Sequence, residues 1–306
     1  MPVPPSGEQY DLHLGEQSAT VVEAGGGIRS YRHGDRDVLH PYDVDALCDG
    51  GHGAVLVPWP NRLADGRYRF DGHDYELDIT EADKHNAIHG LLRWQPWQAI
   101  QRSGSHVVMV TRVAARKGYP WTLDVAVRYE LTDAGLVVTT SVANRSASVA
   151  PLGIGHHPYL SPGEGTVDGA VLQFAAGTRI ETDAERQLPT GRVAVPGTPF
   201  DFAAERAVGD TELDYGFTDL ERDADGRAWL RLTGADGRTV QLWAGAGYDV
   251  LEVYTADTLA PDRRRHALAV EPMTCPPNAF ATGEDLLRVD PGETVVREWG
   301  VGLLPA

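Results

Sequence analysis

Glu271 stands in the middle of the stretch LAVEPMTCPPNAF, residues 268–280, with apolar residues before it and Pro272, Pro276 and Pro277 after it. Proline fixes φ and removes a backbone donor, so this pattern predicts a strand that stops here and holds the carboxylate rigidly among apolar neighbours. Desolvation in such a place raises a carboxyl pKa and makes the group a proton acceptor near neutral pH, the profile of a general base. The competing reading is a strand-end Glu that faces water or pairs with Arg263, Arg264 or Arg265, since most charged residues are exposed. Cys275, just downstream, reads as a small buried apolar group.

Other polar residues sit at stiff places in the chain. Arg62 ends the loop Pro58-Trp59-Pro60-Asn61-Arg62 and is either a donor to ligand hydroxyls or a solvated loop residue. His89 precedes a glycine in HNAIHGLLRWQPW, where an isolated imidazole is commonly a hydrogen-bonded structural residue. His156 and His157 are adjacent in PLGIGHHPYLSP, and neighbours on a strand point to opposite faces, so one of the pair at most faces a given pocket. The chain has neither a His-x-His nor a helical i, i+4 histidine pair here, which argues against a metal site. Asp214 precedes an aromatic in TELDYGFTDL. Trp59, Trp94 and Trp97 are close in sequence; indole faces either floor a sugar site or pack in a core.

The elements that must position these residues read as β. Residues 122–144 alternate cleanly, with Leu123, Val125, Val127, Tyr129 and Leu131 on one face and a turn at Asp133–Gly135. Residues 67–77 predict a hairpin about Asp71-Gly72, and residues 228–245 another about Asp236-Gly237. Strands are also expected through 249–257 and TVVREWGVGLL, while LPTGRVAVPGTPFDF, residues 188–202, reads as a turn-rich surface crossing. A helical turn is expected only near Glu284–Leu287. The run Gly25–Gly27 is no phosphate loop, because no helix pattern or Gly-Lys-Ser/Thr follows it. With no repeat and no linker, the simplest architecture is one large antiparallel β domain over residues 1–306.

Bulk properties narrow the partners. The 27 basic and 44 acidic residues give a net charge of −17, which repels nucleic acid and anionic membrane surfaces. Two cysteines, Cys48 and Cys275, make no disulfide framework and fit a reducing compartment. MPVPPSGEQYDLHLG has no leader pattern and the chain no apolar run of about 18 residues, so a cytoplasmic protein with a neutral or small ligand is expected.

Taken in order, PWPNRLADGRYRFDG, NAIHGLLRW, GHHPYL, PTGRVAVPGTPFDF, LDYGF and VEPMTCPPNAF resemble the aldose 1-epimerase (mutarotase) family from about residue 18 to residue 304. The resemblance implies an all-β fold, a large antiparallel β-sandwich of the galactose mutarotase-like supersandwich type, with a sugar in an open cleft and no cofactor or metal. By the same resemblance Glu271 matches the family's general base and His157 its general acid, while Arg62, His89 and Asp214 match positions that hold sugar hydroxyls. His156 stands where many relatives have Asn, and VPWPNR with GHHPYL looks like a bacterial subgroup.

The chemistry implied is isomerisation: the C1 hydroxyl loses its proton, the ring oxygen gains one, and the ring opens, rotates and recloses. A carboxylate of pKa about 4.3 and an imidazolium of about 6.5 coexist near neutral pH in the required states. The nearest alternative is the same chemistry on a phosphorylated or sulfonated hexose, which needs basic residues such as Arg32, Arg93 or Arg263 at the anion. Further alternatives are a non-catalytic carbohydrate-binding module and a glycoside hydrolase using Glu271 and Asp214.

Overall fold

The computed structural model describes residues 3–46 and 48–304, so the one-domain expectation over 1–306 takes in five residues outside this description. The alternating run becomes a hairpin in which Leu123–Thr132 pairs in register with Gly135–Asn144. Burial alternates strictly along its first strand, because successive side chains leave opposite faces and only one face meets the core. The hairpin sits in an antiparallel sheet of nine strands among the described residues, beside the C-terminal strand Thr294–Leu303. That last strand also pairs with Thr239–Ala244 and so joins the two halves of the sheet.

A larger antiparallel sheet of twelve strands carries Leu268–Met273 near its middle, flanked by Tyr159–Leu160 and Val250–Tyr254. The two expected hairpins are present as Arg67–Phe70 with His73–Glu76 and Ala228–Thr233 with Thr239–Ala244. Asp71 and Gly72 both take positive φ, as a tight hairpin turn demands. One contiguous apolar cluster runs from Tyr10 to Val301 and draws on both sheets.

Three expectations differ from the structure. The strand does not stop at Glu271 but continues through Pro272 to Met273, buried along its whole length. The reason is directional: Val270 N–H donates to Pro158 O and Thr274 N–H to Ile154 O, so the residue midway, Pro272, aims its missing donor at the same neighbour. That neighbour is interrupted there, between Gly155–His156 and Tyr159–Leu160, so no ladder bond is lost. Secondly, the helical turn lies at Ala279–Thr282 rather than 284–287, closed by Gly283 in the left-handed region. Thirdly, part of the surface crossing is an edge strand, Pro189–Ala194, paired with Ala176–Thr182.

His156 ties the two sheets together. It leaves the larger sheet toward the core, where its Nε2 bonds Thr140 Oγ1 of the smaller sheet at 2.7 Å and its ring packs against Trp299. Burial pulls its pKa down to about 3, so the ring is neutral. Thr140→Val keeps the shape but leaves Nε2 unpaired, and is expected to lower unfolding stability by about 1–3 kcal/mol in a denaturant titration.

Candidate active site

The break in the ladder at Pro272 lets the segment 156–158 bend, and with His156 turned to the core, His157 turns the other way. Its Nε2 lies 3.2 Å from Glu271 Oε1, with both side chains about 95% buried. The ring is held on every side. Tyr159 stacks on it at 5.0 Å, His52 stacks on Tyr159 at 4.4 Å, and Tyr159 OH donates to Gly50 O. His157 N–H donates to Ala54 O and Gly53 N–H donates to His157 O. Gly51, at φ 72°, passes so close that a Cβ there would sit 2.5 Å from His157 Cδ2, which only glycine avoids.

His89 and Asn61 face each other as two non-glycine residues with positive φ. His89 N–H donates to Asn61 O, and Asn61 N–H donates to His89 Nδ1 at 3.2 Å. A ring nitrogen that accepts leaves the imidazole proton on the other, so His89 presents Nε2–H. Burial, then the nearby His157, pushes its pKa well down and keeps it neutral. Arg62 follows Asn61, and its Nε and Nη2 grip the Glu81 carboxylate at 3.0–3.1 Å. Nη1 has no partner among the described residues.

Asp214 opens the strand Asp214–Leu220 on the far wall. Gln187 donates to Asp214 Oδ2, and Lys84 donates to Gln187 Oε1 while pairing with Glu81 at 3.5 Å. Arg186 staples this wall together through Asp65 Oδ1, His85 O, Asn86 Oδ1 and Lys84 O. Glu252, which lies opposite Glu271 in the neighbouring strand, is buried behind it. Sequence reasoning reached Glu271, His157, Arg62, His89 and Asp214, and the structure brings all five to one cleft of about 350 Å³. It missed Glu81, Lys84, Gln187, Tyr159 and Glu252. Gln187 and Glu81 lie in segments without a motif, and only strand register reveals Glu252.

The tryptophans divide differently from a sugar floor. Trp59 and Trp97 are core residues, and Trp94 is half exposed outside the cleft. Nor does an arginine neutralise Glu271: Arg263 pairs with Asp49, and Arg265 with Asp168 and Asp257. Cys275 is fully buried and its thiol is pushed up to about 12 by desolvation, in keeping with a space-filling role. A larger concavity of about 640 Å³ on the nine-stranded sheet holds the Arg112–Asp124–Arg145 ion pairs and no histidine.

Burial reverses the protonation order expected for an isolated carboxylate and imidazolium. It raises Glu271 well above the usual carboxylate range, with Glu252 and Asp214 adding to the shift, and it pulls His157 down to about 3. The two groups therefore carry one titratable proton between them, resting on Glu271 beside a neutral His157. Donor atoms of His89, His157 and Glu271 also lie within 4.8 Å of one another, the composition of a metal triad. The tautomer opposes that use, since a ligating His donates its second nitrogen's proton to a support, whereas His89 Nδ1 accepts one.

The scaffold defines a class, a galactose mutarotase-like supersandwich, and its cleft sets a buried carboxyl 3.2 Å from an imidazole. Over 97% of its length the chain superposes on the GalM/aldose epimerase homologue of Caenorhabditis elegans, covering 98% of that structure with a TM-score of 0.85 at 18% identity. The Escherichia coli K12 protein YihR is 32% identical over 295 residues, 94% of this chain and 91% of that one. Human galactose mutarotase is 28% identical over 217 residues, 66% of this chain and 59% of that protein. The profile of the aldose 1-epimerase family matches residues 8–299. The chain belongs to the aldose 1-epimerase family and is an isomerase.

An acid and a base that work together need the pair singly protonated. The second proton leaves near the lowered His157 value and the last near the raised Glu271 value, so the working form spans the range between them. The isomerisation rate, kcat/KM, is expected to show no acid limb at the ordinary imidazole pKa of about 6.5. A limb at that value in an exchange-NMR pH series would show a solvated histidine instead.

Proposed function

We propose that the protein interconverts the α and β anomers of a hexose, with Glu271 taking the C1 hydroxyl proton and His157 protonating the ring oxygen. The observation that carries this reading is the Glu271–His157 contact at 3.2 Å in the cleft. In a cyclic hemiacetal both reacting oxygens are bonded to C1, so the two groups that act on them must converge within a few ångströms, as these do. Moving the shared proton from Glu271 to His157 gives the carboxylate and imidazolium that the reaction consumes. As the ring opens, the negative charge leaving Glu271 and the positive charge leaving His157 cancel across the substrate. Reclosure after rotation about C1–C2 runs the same transfers backward and restores the pair.

The other three residues suit the sugar's hydroxyls. His89 offers Nε2–H as a donor, Arg62 offers its unengaged Nη1, and Asp214 keeps Oδ1 as an acceptor while Gln187 occupies Oδ2. These contacts fix the ring so that C1 and its ring oxygen meet the pair. Polarimetry of freshly dissolved α-D-glucose and α-D-galactose tests this. The protein should hasten the approach to equilibrium, and Glu271→Gln should slow it by about 10²–10⁴-fold. An alkyl glycoside should be inert, because its C1 oxygen has no proton to remove; sugar release would favour a hydrolase.

A second substrate reading, an anionic hexose, has one observation behind it. Arg62 and Lys84 are both neutralised by Glu81, whereas Arg93, which lines the same cleft, has no carboxylate or hydrogen-bond partner among the described residues. Its charge bears on His157 and His89. With the ring oxygen at His157, the exocyclic C6 is attached one carbon away, within the cleft that Arg93 lines. A phosphate or sulfonate there would pair with the guanidinium. On this reading the 6-phosphate or 6-sulfonate has a kcat/KM about tenfold or more above the parent hexose, and Arg93→Met erases the preference. Equal loss on both sugars would leave the neutral hexose as substrate.

A further inference from the structure

Glu252 has no part in the chemistry above, and its placement is unusual for a carboxyl. It lies directly opposite Glu271 in the antiparallel ladder, so the two side chains leave the sheet on the same face as close neighbours. It is 3% exposed, and neither its Oε2 nor that of Glu271 has a hydrogen-bond partner among the described residues. On its other side the opposing residue is Gly216, where a Cβ would sit 3.1 Å from Glu252 Oε2, Ile180 Cδ1 and, at 3.3 Å, Val250 Cγ1. The carboxyl thus leans over a glycine into an apolar niche.

The charged groups that face it are Asp214, two residues before Gly216 on the same strand, Glu271 from the central strand, and Arg62 from across the cleft. Arg62 is already committed to Glu81. Three carboxyls thus share one face, the cation that faces them is held by Glu81, and neighbouring buried carboxyls do not all ionise together. We infer that Glu252 is a positioning residue for Glu271, a carboxylic acid kept protonated beneath the base, which limits the negative charge of the cleft and sets how readily Glu271 ionises. This rests on the reading of Glu271 as the base.

Burial and then Asp214 hold Glu252 up at about 8, against an ordinary value of 4.5. A carboxyl raised on folding contributes stability that is full below its unfolded pKa and is lost as pH rises through its folded one. Wild type should therefore lose thermal stability through this group between about pH 4.5 and 8, with no further loss above that. Glu252→Gln is a neutral isostere of the protonated acid and has no such loss. The melting temperature of Glu252→Gln relative to wild type should rise across this interval, and its kcat/KM at pH 7 should stay within about threefold of wild type, with Glu252→Ala falling at least about tenfold. The alkaline side of the Gln variant's pH–rate profile should also shift, since the base loses its neighbour's charge.

Two results would overturn the inference: melting temperatures of wild type and Glu252→Gln that run parallel with pH, or a Gln variant about 30-fold or more slower at pH 7, which would mean that an ionised carboxylate is required. If the variants fail to fold, carbon NMR of wild type labelled in glutamate decides the matter. A side-chain resonance titrating near pH 8, and retained in Glu271→Gln, supports it, and the absence of one refutes it. The stability and NMR readouts need no turnover, so an inactive wild type would sink the proposed reaction without touching the protonation of Glu252.

Discussion

Everything in the cleft depends on a backbone donor that is missing. Pro272 sits in the middle of the larger sheet, where a proline ordinarily costs a ladder bond. Its empty side faces the one place where the neighbouring chain is broken, at His156, His157 and Pro158. The two prolines are mutually compatible: neither asks the other for a hydrogen bond. A continuous strand there would have kept His157 in a regular pleat. The interruption lets consecutive histidines serve different parts of the molecule, one bonded to Thr140 in the core and one in contact with Glu271.

The charges around this contact are distributed so that the proton has few places to go. On the basic side, Glu81 occupies Arg62 and Lys84, and Asn86 holds Glu81 in turn. On the acidic side, desolvation raises Asp214, Glu252 and Glu271; Asp214 adds to the shift of Glu252, and Glu252 and Asp214 to that of Glu271. His89 is excluded from titration by its tautomer and burial. Left-handed backbone at Asn61 and His89 costs on the order of 1–3 kcal/mol per residue. Their exchanged hydrogen bonds, and Asn278, which accepts from Ala64 N–H and donates its own N–H to Arg62 O, offset that strain.

Much of this was legible in the sequence because it is written in short, stiff segments. The alternation of residues 122–144 fixed a hairpin, and Asp71-Gly72 a turn, through local geometry alone. Glu271 stood out because prolines and apolar neighbours isolate it, while His157 was told apart from His156 only by the resemblance to the family. Proline punctuation also misled: Pro272 reads as a stop until the neighbour's interruption is known, since a missing donor matters only in the direction it points. Glu252 was invisible for a related reason. Its segment reads as an ordinary strand, and register, which long-range pairing sets, is what places it against Glu271. The tryptophans failed as a guide because indoles serve cores as readily as clefts, and Trp59 and Trp97 went to the core.

The Arg186 staple has a consequence for how a ligand is received. One guanidinium takes up a side-chain or backbone oxygen from each of Asp65, Lys84, His85 and Asn86, while Asp183 caps the turn that carries it. The rim that bears Lys84 and Gln187 is thereby fastened to the rim that bears Arg62, with the mouth left open. Such a mould spends little conformational entropy at each encounter. An enzyme that only hastens an equilibrium works on reactant and product that differ at one carbon, and a rigid open mould can admit either and release either with equal ease.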